Sequence, residues 1–217
     1  MNLLLAGATG LVGREITQQW HGPGLLHLLV RRPMPAPGPL QRVLVVDFAA
    51  LPALPAADAA LCTLGTTIAV AGSQAAFRAV DFDAVLAFAR AARRAGARRL
   101  AVVSSLGADR RSTSFYSRVK GEMEFAVAAL GFDSVVIVRP ALLTGNRGAL
   151  GQPLRAGERL AQLLAAPLSP LLPKIWKPIA ASTVARALWR ALQQAEPGVR
   201  ILDSAQLQWL GAADSFR

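Results

Sequence analysis

The chain has 217 residues, enough for one α/β domain, and its hydrophobic content of 53% excludes an intrinsically disordered protein. No run of about 18 uncharged apolar residues occurs, so no membrane span is predicted; the single cysteine excludes an internal disulfide and favours a reducing, cytoplasmic location. The formal net charge of +11 is compatible with a nucleic acid, an anionic membrane surface or an anionic small molecule as partner.

Short apolar runs alternate with helical stretches over the first 140 residues. The first run lacks a basic leader and continues into a glycine turn, so it predicts a buried strand rather than a signal peptide. Most runs show no period-two alternation, which is typical of parallel strands covered on both faces. This order predicts an α/β fold with a doubly wound parallel sheet, helices on both faces and ligand binding at the carboxyl ends of the strands. The predicted strands are 2–6, 25–30, 43–46, 59–64, 100–105 and 134–138, and the predicted helices are 11–20, 74–96, 115–130 and 182–194.

The stretch 145–178 differs in character, because glycine, proline and leucine dominate it. Its prolines prevent one long helix. We expect it to form a small C-terminal cap on the substrate side of the sheet, with contact between its apolar part and a membrane surface as the alternative.

A glycine-rich turn, GATGLVG, lies between the first strand and the first helix, which is the context that a dinucleotide-binding turn requires. Gly7 permits a tight turn, Gly10 lets the backbone approach a pyrophosphate, and Gly13 allows the helix to pack closely on the strand. The free amides and the positive dipole at the helix N-terminus favour a phosphate. The predicted contacts in this turn are Gly7, Thr9, Gly10, Leu11, Val12 and Gly13.

Arg31 and Arg32 follow the second strand, where an NAD-binding chain normally carries an acidic residue that accepts from the ribose 2′-hydroxyl. A guanidinium matches a 2′-phosphate by bidentate geometry, so the pair predicts NADP as cofactor, with two solvated arginines as the alternative. Asp47, after the third strand, is either an adenine-side contact or a turn residue. Gly65, after the fourth, lets the backbone approach the cofactor.

Tyr116 and Lys120 have the spacing Y-x-x-x-K, which puts both side chains on one face of a helix. An adjacent ammonium stabilises a phenolate, so Tyr116 can donate a proton to a developing alkoxide, while Lys120 also holds a ribose. Tyr116 is the only tyrosine and Lys120 is one of three lysines in a chain that otherwise uses arginine. A surface Tyr–Lys pair is the alternative.

Ser104 and Ser105 end the fifth strand, at the edge where doubly wound enzymes place their sites. A hydroxyl there can bond a substrate oxygen beside the tyrosine. Strand alternation directs only one of the two toward the cleft, and we favour Ser105. Hydroxyls that cap a turn are the alternative.

These residues carry a family resemblance. The chain resembles the atypical or extended short-chain dehydrogenases/reductases and, within them, the Tat-interacting-protein branch of NADPH-binding proteins. The shared segments are GATGLVG, LVRRP, CTLGTT, VVSSLGAD, FYSRVKGEME and IVRPALLTGNR. The resemblance implies a single NAD(P)-binding Rossmann domain over residues 1–217, with further cofactor contacts at Leu64, Thr66, Leu142 and Arg147. Arg147 is equally well interpreted as a solvated loop charge.

Residues and resemblance together predict an NADPH-dependent oxidoreductase that reduces a small carbonyl or quinone-like acceptor. In this hypothesis Tyr116 supplies the proton, Lys120 positions and Ser105 orients the acceptor. The alternative is a regulatory or assembly protein that binds NADPH as a sensor and turns nothing over. A nucleotide-sugar epimerase is disfavoured, since extended family members have much larger substrate domains. Monomer and homodimer both stay open.

The remaining candidates carry weaker signals. Seven arginines between residues 90 and 111 have no interleaved aromatic residue, which predicts a solvated surface with weak or no nucleic-acid binding; a surface for nucleic acid or an acidic partner is the alternative. His27 and Cys62 lie in apolar strands as structural residues, and two histidines with one cysteine make no zinc site. Asp81 and Asp83 begin or decorate a helix, with Asp81 alternatively orienting a loop near the cofactor.

Overall fold

The computed structural model describes residues 1–145 and 173–212. Its strands are β1 (Leu3–Ala6), β2 (Leu26–Val30), β3 (Gln41–Val45), β4 (Ala59–Cys62), β5 (Arg99–Val103), β6 (Ser134–Arg139), β7 (Leu143–Thr144), β8 (Ile179–Ala180) and β9 (Gly198–Asp203). Its helices are α1 (Leu11–Gln18), α2 (Ile68–Ala71), α3 (Gln74–Arg78), α4 (Val85–Arg94), α5 (Phe115–Ala128), α6 (Ala181–Gln194) and α7 (Ser204–Gly211), with a π-helical turn (Ala79–Ala84) between α3 and α4 and a 3-10 turn (Lys174–Trp176) before β8.

Seven strands form one parallel sheet in the order β3-β2-β1-β4-β5-β6-β9. The chain starts in the middle of this sheet, builds outward to β3, and returns to the other side of β1 with β4. The carboxyl ends of β1 and β4 therefore lie at the switch point where doubly wound sheets bind ligands. This topology confirms the predicted doubly wound Rossmann fold.

Both faces of the sheet are covered, as the continuous apolar strands predict. On the first face, Leu3 and Leu5 pack under α1 and α6, where the rings of Trp20 and Trp189 meet edge to face at 4.9 Å. On the second face, strand residues pack under α4 and α5, which contribute Phe88, Met123 and Val127 to a separate core. Strand alternation in β1 thus divides its side chains between two cores.

The predicted strands are all present, with ends that differ by no more than two residues. The predicted helix 74–96 is instead α3, the π-helical turn and α4; within that turn each backbone hydrogen bond spans five residues rather than four. Sequence analysis did not predict β9 or α7.

Most of the predicted cap at 145–178 lies outside the described residues; its described flanks include β7 and β8, which pair with each other. No helix within the described ranges is long and apolar enough to cross a membrane.

Candidate cofactor and active site

The glycine turn between β1 and α1 is shaped by close contacts within the chain. Gly7 has φ +89°, and a Cβ there would lie 2.5 Å from the Oγ1 of Thr63. A Cβ on Gly13 would overlap the carbonyl oxygen of Gly7, so α1 can begin this close to β1 only with glycine at that position. Folding alone accounts for these two glycines.

Gly10 is different, since a Cβ there would meet only the carbonyl oxygen of Gly7, at 3.3 Å. It is the N-cap of α1, with no side-chain cap and no acidic residue in the first turn. The first amides of any helix have no intrahelical acceptor, and here neither a capping side chain nor a carboxylate competes for them. Thr9 is exposed beside this turn. The side chain of Val12 is buried in the first core, so only the backbone of Val12 is available to a ligand. This arrangement fits an anion.

Arg31 and Arg32 are exposed directly after β2, the neighbour of β1. Asp47 is exposed after β3, and its Oδ1 accepts a hydrogen bond of 2.9 Å from the amide of Ala49. The turn interpretation of Asp47 therefore has a contact in the structure, whereas its adenine contact stays a prediction.

The loop after β4 contains Leu64, Gly65 and Thr66. Leu64 is half-buried against the second core, and Gly65 is exposed. The amide of Thr66 donates a 2.8 Å hydrogen bond to Oδ2 of Asp81, which lies in the π-helical turn. This contact agrees with the alternative interpretation of Asp81 from the sequence, in which its side chain orients a loop; here it holds the loop after β4.

Tyr116 and Lys120 lie one turn apart at the start of α5. The ring of Tyr116 is half-buried and packs against Phe77, with ring centroids 5.2 Å apart, while Phe77 itself is fully buried. A Cβ on Gly121 would overlap the backbone of Asp109 and Arg110, so this glycine lets the loop after β5 pack directly on α5. Sequence analysis singled out neither Phe77 nor Gly121.

Lys120 is paired rather than free. Its Nζ lies 2.7 Å from Oδ1 of Asp81, and the two side chains are 4% and 0% exposed. Burial by itself lowers the pKa of Lys120, but the charge of Asp81, the charge of Tyr116 and the hydrogen bond to Asp81 raise it above its usual value. The ammonium is therefore held in its charged form. Sequence analysis did not predict that Asp81 is the partner of Lys120; it gave Asp81 only as a helix residue or as one that orients a loop.

Ser104 and Ser105 follow β5 at the same edge. The amide of Ser104 donates to the carbonyl of Val138, and its side chain is 5% exposed. Neither serine hydroxyl has a hydrogen-bond partner among the described residues. Because buried hydroxyls are normally satisfied, these two are the polar groups most in need of a ligand. Leu142 is half-buried with its carbonyl accepting from Ile179, and Arg147 lies outside the described residues.

The arginine-rich stretch is partly engaged within the chain. Arg98 pairs with Asp133 at 2.6 Å, Arg93 donates to the carbonyl of Gly131, and Arg110 lies over the ring of Phe125. The prediction of weak or no nucleic-acid binding by this surface stays a prediction.

A family model described as NAD(P)H-binding matches residues 7–166. Among curated proteins, "Protein fmp52, mitochondrial" of Emericella nidulans is 35% identical over 182 residues, covering 77% of this chain and 76% of the relative. The protein of the same name from Aspergillus fumigatus is 33% identical and covers 100% of this chain and 97% of its own length. "Protein HTATIP2" of Rattus norvegicus is 41% identical over 122 residues, which is 54% of this chain and 48% of that protein, and it confirms the resemblance drawn from the motifs.

The predicted cytoplasmic location is wrong, because the fmp52 relatives are named mitochondrial. The error has a physical reason: a low cysteine count indicates only that disulfides are not used, and it does not distinguish one disulfide-poor compartment from another.

Solved structures share the fold at low sequence identity. "MoeE5 in complex with UDP-glucose and NAD" has a TM-score of 0.71 and 18% identity, covering 98% of this chain and 81% of that one. A UDP-N-acetylglucosamine 4-epimerase from Methanobrevibacter ruminantium M1 has a TM-score of 0.71 and 14% identity, covering 93% and 76%. These likenesses confirm the Rossmann architecture and carry nothing further at such identities.

Proposed function

Because this chain belongs to the NAD(P)H-binding family of Rossmann proteins, we propose that it is an NADPH-dependent oxidoreductase acting on a small carbonyl or quinone-like acceptor. We also propose that residues 1–217 form a single domain. The observation that supports the proposal is that Tyr116 and the charged, buried Lys120 lie at the start of α5, while two serine hydroxyls without partners among the described residues follow β5 at the edge that bears the glycine turn.

The residues fit the cofactor at two points. The uncapped start of α1, with no side chain on Gly10, suits a pyrophosphate, and the turn residues Gly7, Thr9, Leu11, Val12 and Gly13 shape that approach. Arg31 and Arg32 suit a 2′-phosphate, because they are exposed after β2 and no acidic residue follows that strand directly. Preference for NADP over NAD rests on this second point.

Bound NADPH supplies the hydride. The hydroxyl of Tyr116 donates a proton to the oxygen of the acceptor, and the ammonium of Lys120 stabilises the phenolate that remains. A serine hydroxyl, Ser105 or Ser104, donates a hydrogen bond to the same oxygen and so orients the acceptor. Leu64, Gly65, Thr66 and Leu142 would hold the nicotinamide end of the cofactor.

The test is a panel of carbonyl, quinone and flavin acceptors, followed by the loss of NADPH absorbance, with the Tyr116→Phe variant run beside the unaltered protein. We expect turnover to fall about 10²–10⁴-fold in the variant, the usual contribution of a positioned acid, while NADPH affinity stays near its original value. Ser117→Ala is the matched control, since it removes a hydroxyl at the next position of α5. An acceptor reduced equally fast by the phenylalanine variant would exclude Tyr116 as the acid.

The second candidate is an NADPH sensor without turnover. A sensor needs only a binding turn, and the uncapped start of α1 suits a phosphate by itself. Tight NADPH binding by calorimetry, with no oxidation across the whole acceptor panel, would select the sensor.

A further inference from the structure

Asp81 is buried in an unusual piece of backbone. It lies in the π-helical turn Ala79–Ala84 and is 0% exposed, whereas Asp83, two residues further on, is exposed. π-helical turns inside α-helices are rare and occur frequently at functional sites. Of the two neighbouring carboxylates in this turn, only that of Asp81 is buried.

The carboxylate of Asp81 joins two separate parts of the site. Its Oδ1 lies 2.7 Å from the Nζ of Lys120 on α5, and its Oδ2 accepts from the amide of Thr66 in the loop after β4. A Cβ placed on Gly65 would lie 3.4 Å from Oδ1 and 3.8 Å from Nζ, so the ion pair lies directly beneath the exposed glycine of that loop.

In a buried ion pair, each charge depends on the other as its counter-charge. A buried ammonium without a counter-charge tends to lose its proton, and removing one partner of a buried pair leaves the other uncompensated. The groups that act on Lys120 are Asp81, Tyr116 and Cys62. Burial raises the pKa of the Cys62 thiol to about 12, so that group is uncharged at neutral pH. The permanent negative charge beside Lys120 is therefore that of Asp81.

We propose that Asp81 is a positioning residue of this site, whose carboxylate keeps Lys120 charged and ties it to the loop after β4. The inference rests on the proposed function only in the roles that it gives Lys120, toward a ribose and toward the phenol of Tyr116. Asp81 is 0% exposed, so it acts on the site through Lys120.

The first experiment measures unfolding free energy against pH for Asp81→Asn and for the matched control Asp83→Asn. In the unaltered protein the pKa of Lys120 is raised, so the pair's contribution is complete below the unfolded-state pKa of about 10.4 and is lost as pH rises through the folded-state value. Asparagine still accepts from the amide of Thr66 but supplies no charge. Burial then lowers the pKa of Lys120, and stability should instead rise with pH up to about 10.4.

The second experiment measures NADPH binding by calorimetry over the same pH range, which needs no acceptor. In Asp81→Asn, the midpoint of the decline in NADPH affinity should move down by at least about one pH unit. At a pH between the midpoints of the variant and of the unaltered protein, the variant should therefore bind NADPH up to about tenfold more weakly. Asp83→Asn should match the unaltered protein. Where an acceptor is known, turnover should follow the same displaced profile.

Asp81→Asn combined with Lys120→Met keeps the test decisive if the single variant folds poorly. Removing both charges should restore the melting temperature that the single substitution lowers, while NADPH affinity stays weak. A reversed pH slope, a displaced binding profile and recovery in the double variant support the proposal.

Three outcomes would overturn it. A pH slope unchanged in Asp81→Asn would show that the carboxylate does not set the charge of Lys120. Failure of the double variant to recover would assign the loss to packing. A reversed slope with NADPH binding unchanged would confine Asp81 to stability. A separate result tests the proposed function. If the unaltered protein binds no NADPH, the proposed function fails and the positioning role fails with it. The pH dependence of the unfolding free energy then still tests whether Asp81 keeps Lys120 charged.

Discussion

The two edges of the parallel sheet differ in how some of their polar groups are paired. At the amino edge, the amide of Asn2 donates to Asp58 at 2.7 Å and Arg98 pairs with Asp133, while Oε1 of Gln41 has no partner among the described residues. At the carboxyl edge, Arg139 pairs with Glu124, but the hydroxyls of Ser104 and Ser105 have no partner among the described residues, and α1 begins without a capping side chain. The hydroxyl and amide donors left without partners therefore lie at the carboxyl edge.

The contrast shows where the chain gives up stability. A serine hydroxyl buried without a partner costs free energy that a capping or pairing residue would recover. Departures of this kind are expected where a ligand completes the contacts. At the same edge the chain provides its own counter-charges for Lys120, through Asp81, and for Arg139, through Glu124.

The largest expected effect separates two glycines of the same turn. Gly13→Ala should lower the free energy of unfolding by about 3 kcal/mol, since its Cβ would overlap the carbonyl of Gly7. Gly10→Ala should leave stability within about 1 kcal/mol but weaken NADPH binding at least tenfold, because the methyl group occupies the approach of the pyrophosphate. Urea denaturation and calorimetry measure the two quantities; equal stability losses would mean that both glycines serve the fold.

An intermediate effect is expected at the end of β2. Replacing Arg31 and Arg32 together with alanine should weaken NADPH binding by about 2 kcal/mol, roughly 30-fold, and change NADH binding little. Both side chains are exposed, so the melting temperature should stay constant. Calorimetry with each dinucleotide checks this, and equal affinity of the unaltered protein for NADPH and NADH would contradict it.

The smallest effect belongs to the amino edge. Arg98→Ala breaks an ion pair whose side chains are 75% and 47% exposed, so we expect a loss of only about 0.2–1 kcal/mol in unfolding free energy. NADPH affinity should not change, since the pair lies at the opposite edge from the glycine turn. A fall in affinity would abolish the distinction between the edges.

The sequence predicted those parts that depend on local spacing. The GATGLVG turn, the Y-x-x-x-K spacing and the strand-end serines each lie within a few residues, so a strand–turn–helix pattern was enough to place them. The partner of Lys120 was not predicted, because its contact joins α5 to an earlier segment of the chain and so depends on tertiary packing. The π-helical turn that contains Asp81 also has no periodic sequence pattern by which it could be predicted.

Strand β9 was missed for a different reason. It is an edge strand of six residues after Pro197, and its Val199 and Ile201 are exposed. A run this short cannot be separated from a loop by periodicity alone. Its place beside β6 becomes evident only once the sheet has formed.

The two cores described above are completed at different points along the chain. Among the residues that the structure describes, the second core is built from 4–137, whereas the first core combines Leu3 and Trp20 with Trp189, far along the chain.

This difference has a consequence for synthesis on the ribosome, where the N-terminal part of a chain emerges and folds first. We expect the second face to close while the first face still exposes a stripe of leucine and isoleucine under α1, until α6 emerges to cover it. Stalled chains ending before residue 181 should therefore bind a hydrophobic dye or a chaperone, and chains that include α6 should not. The packing of α6 on the first face is thus the step that closes this core during nascent-chain folding.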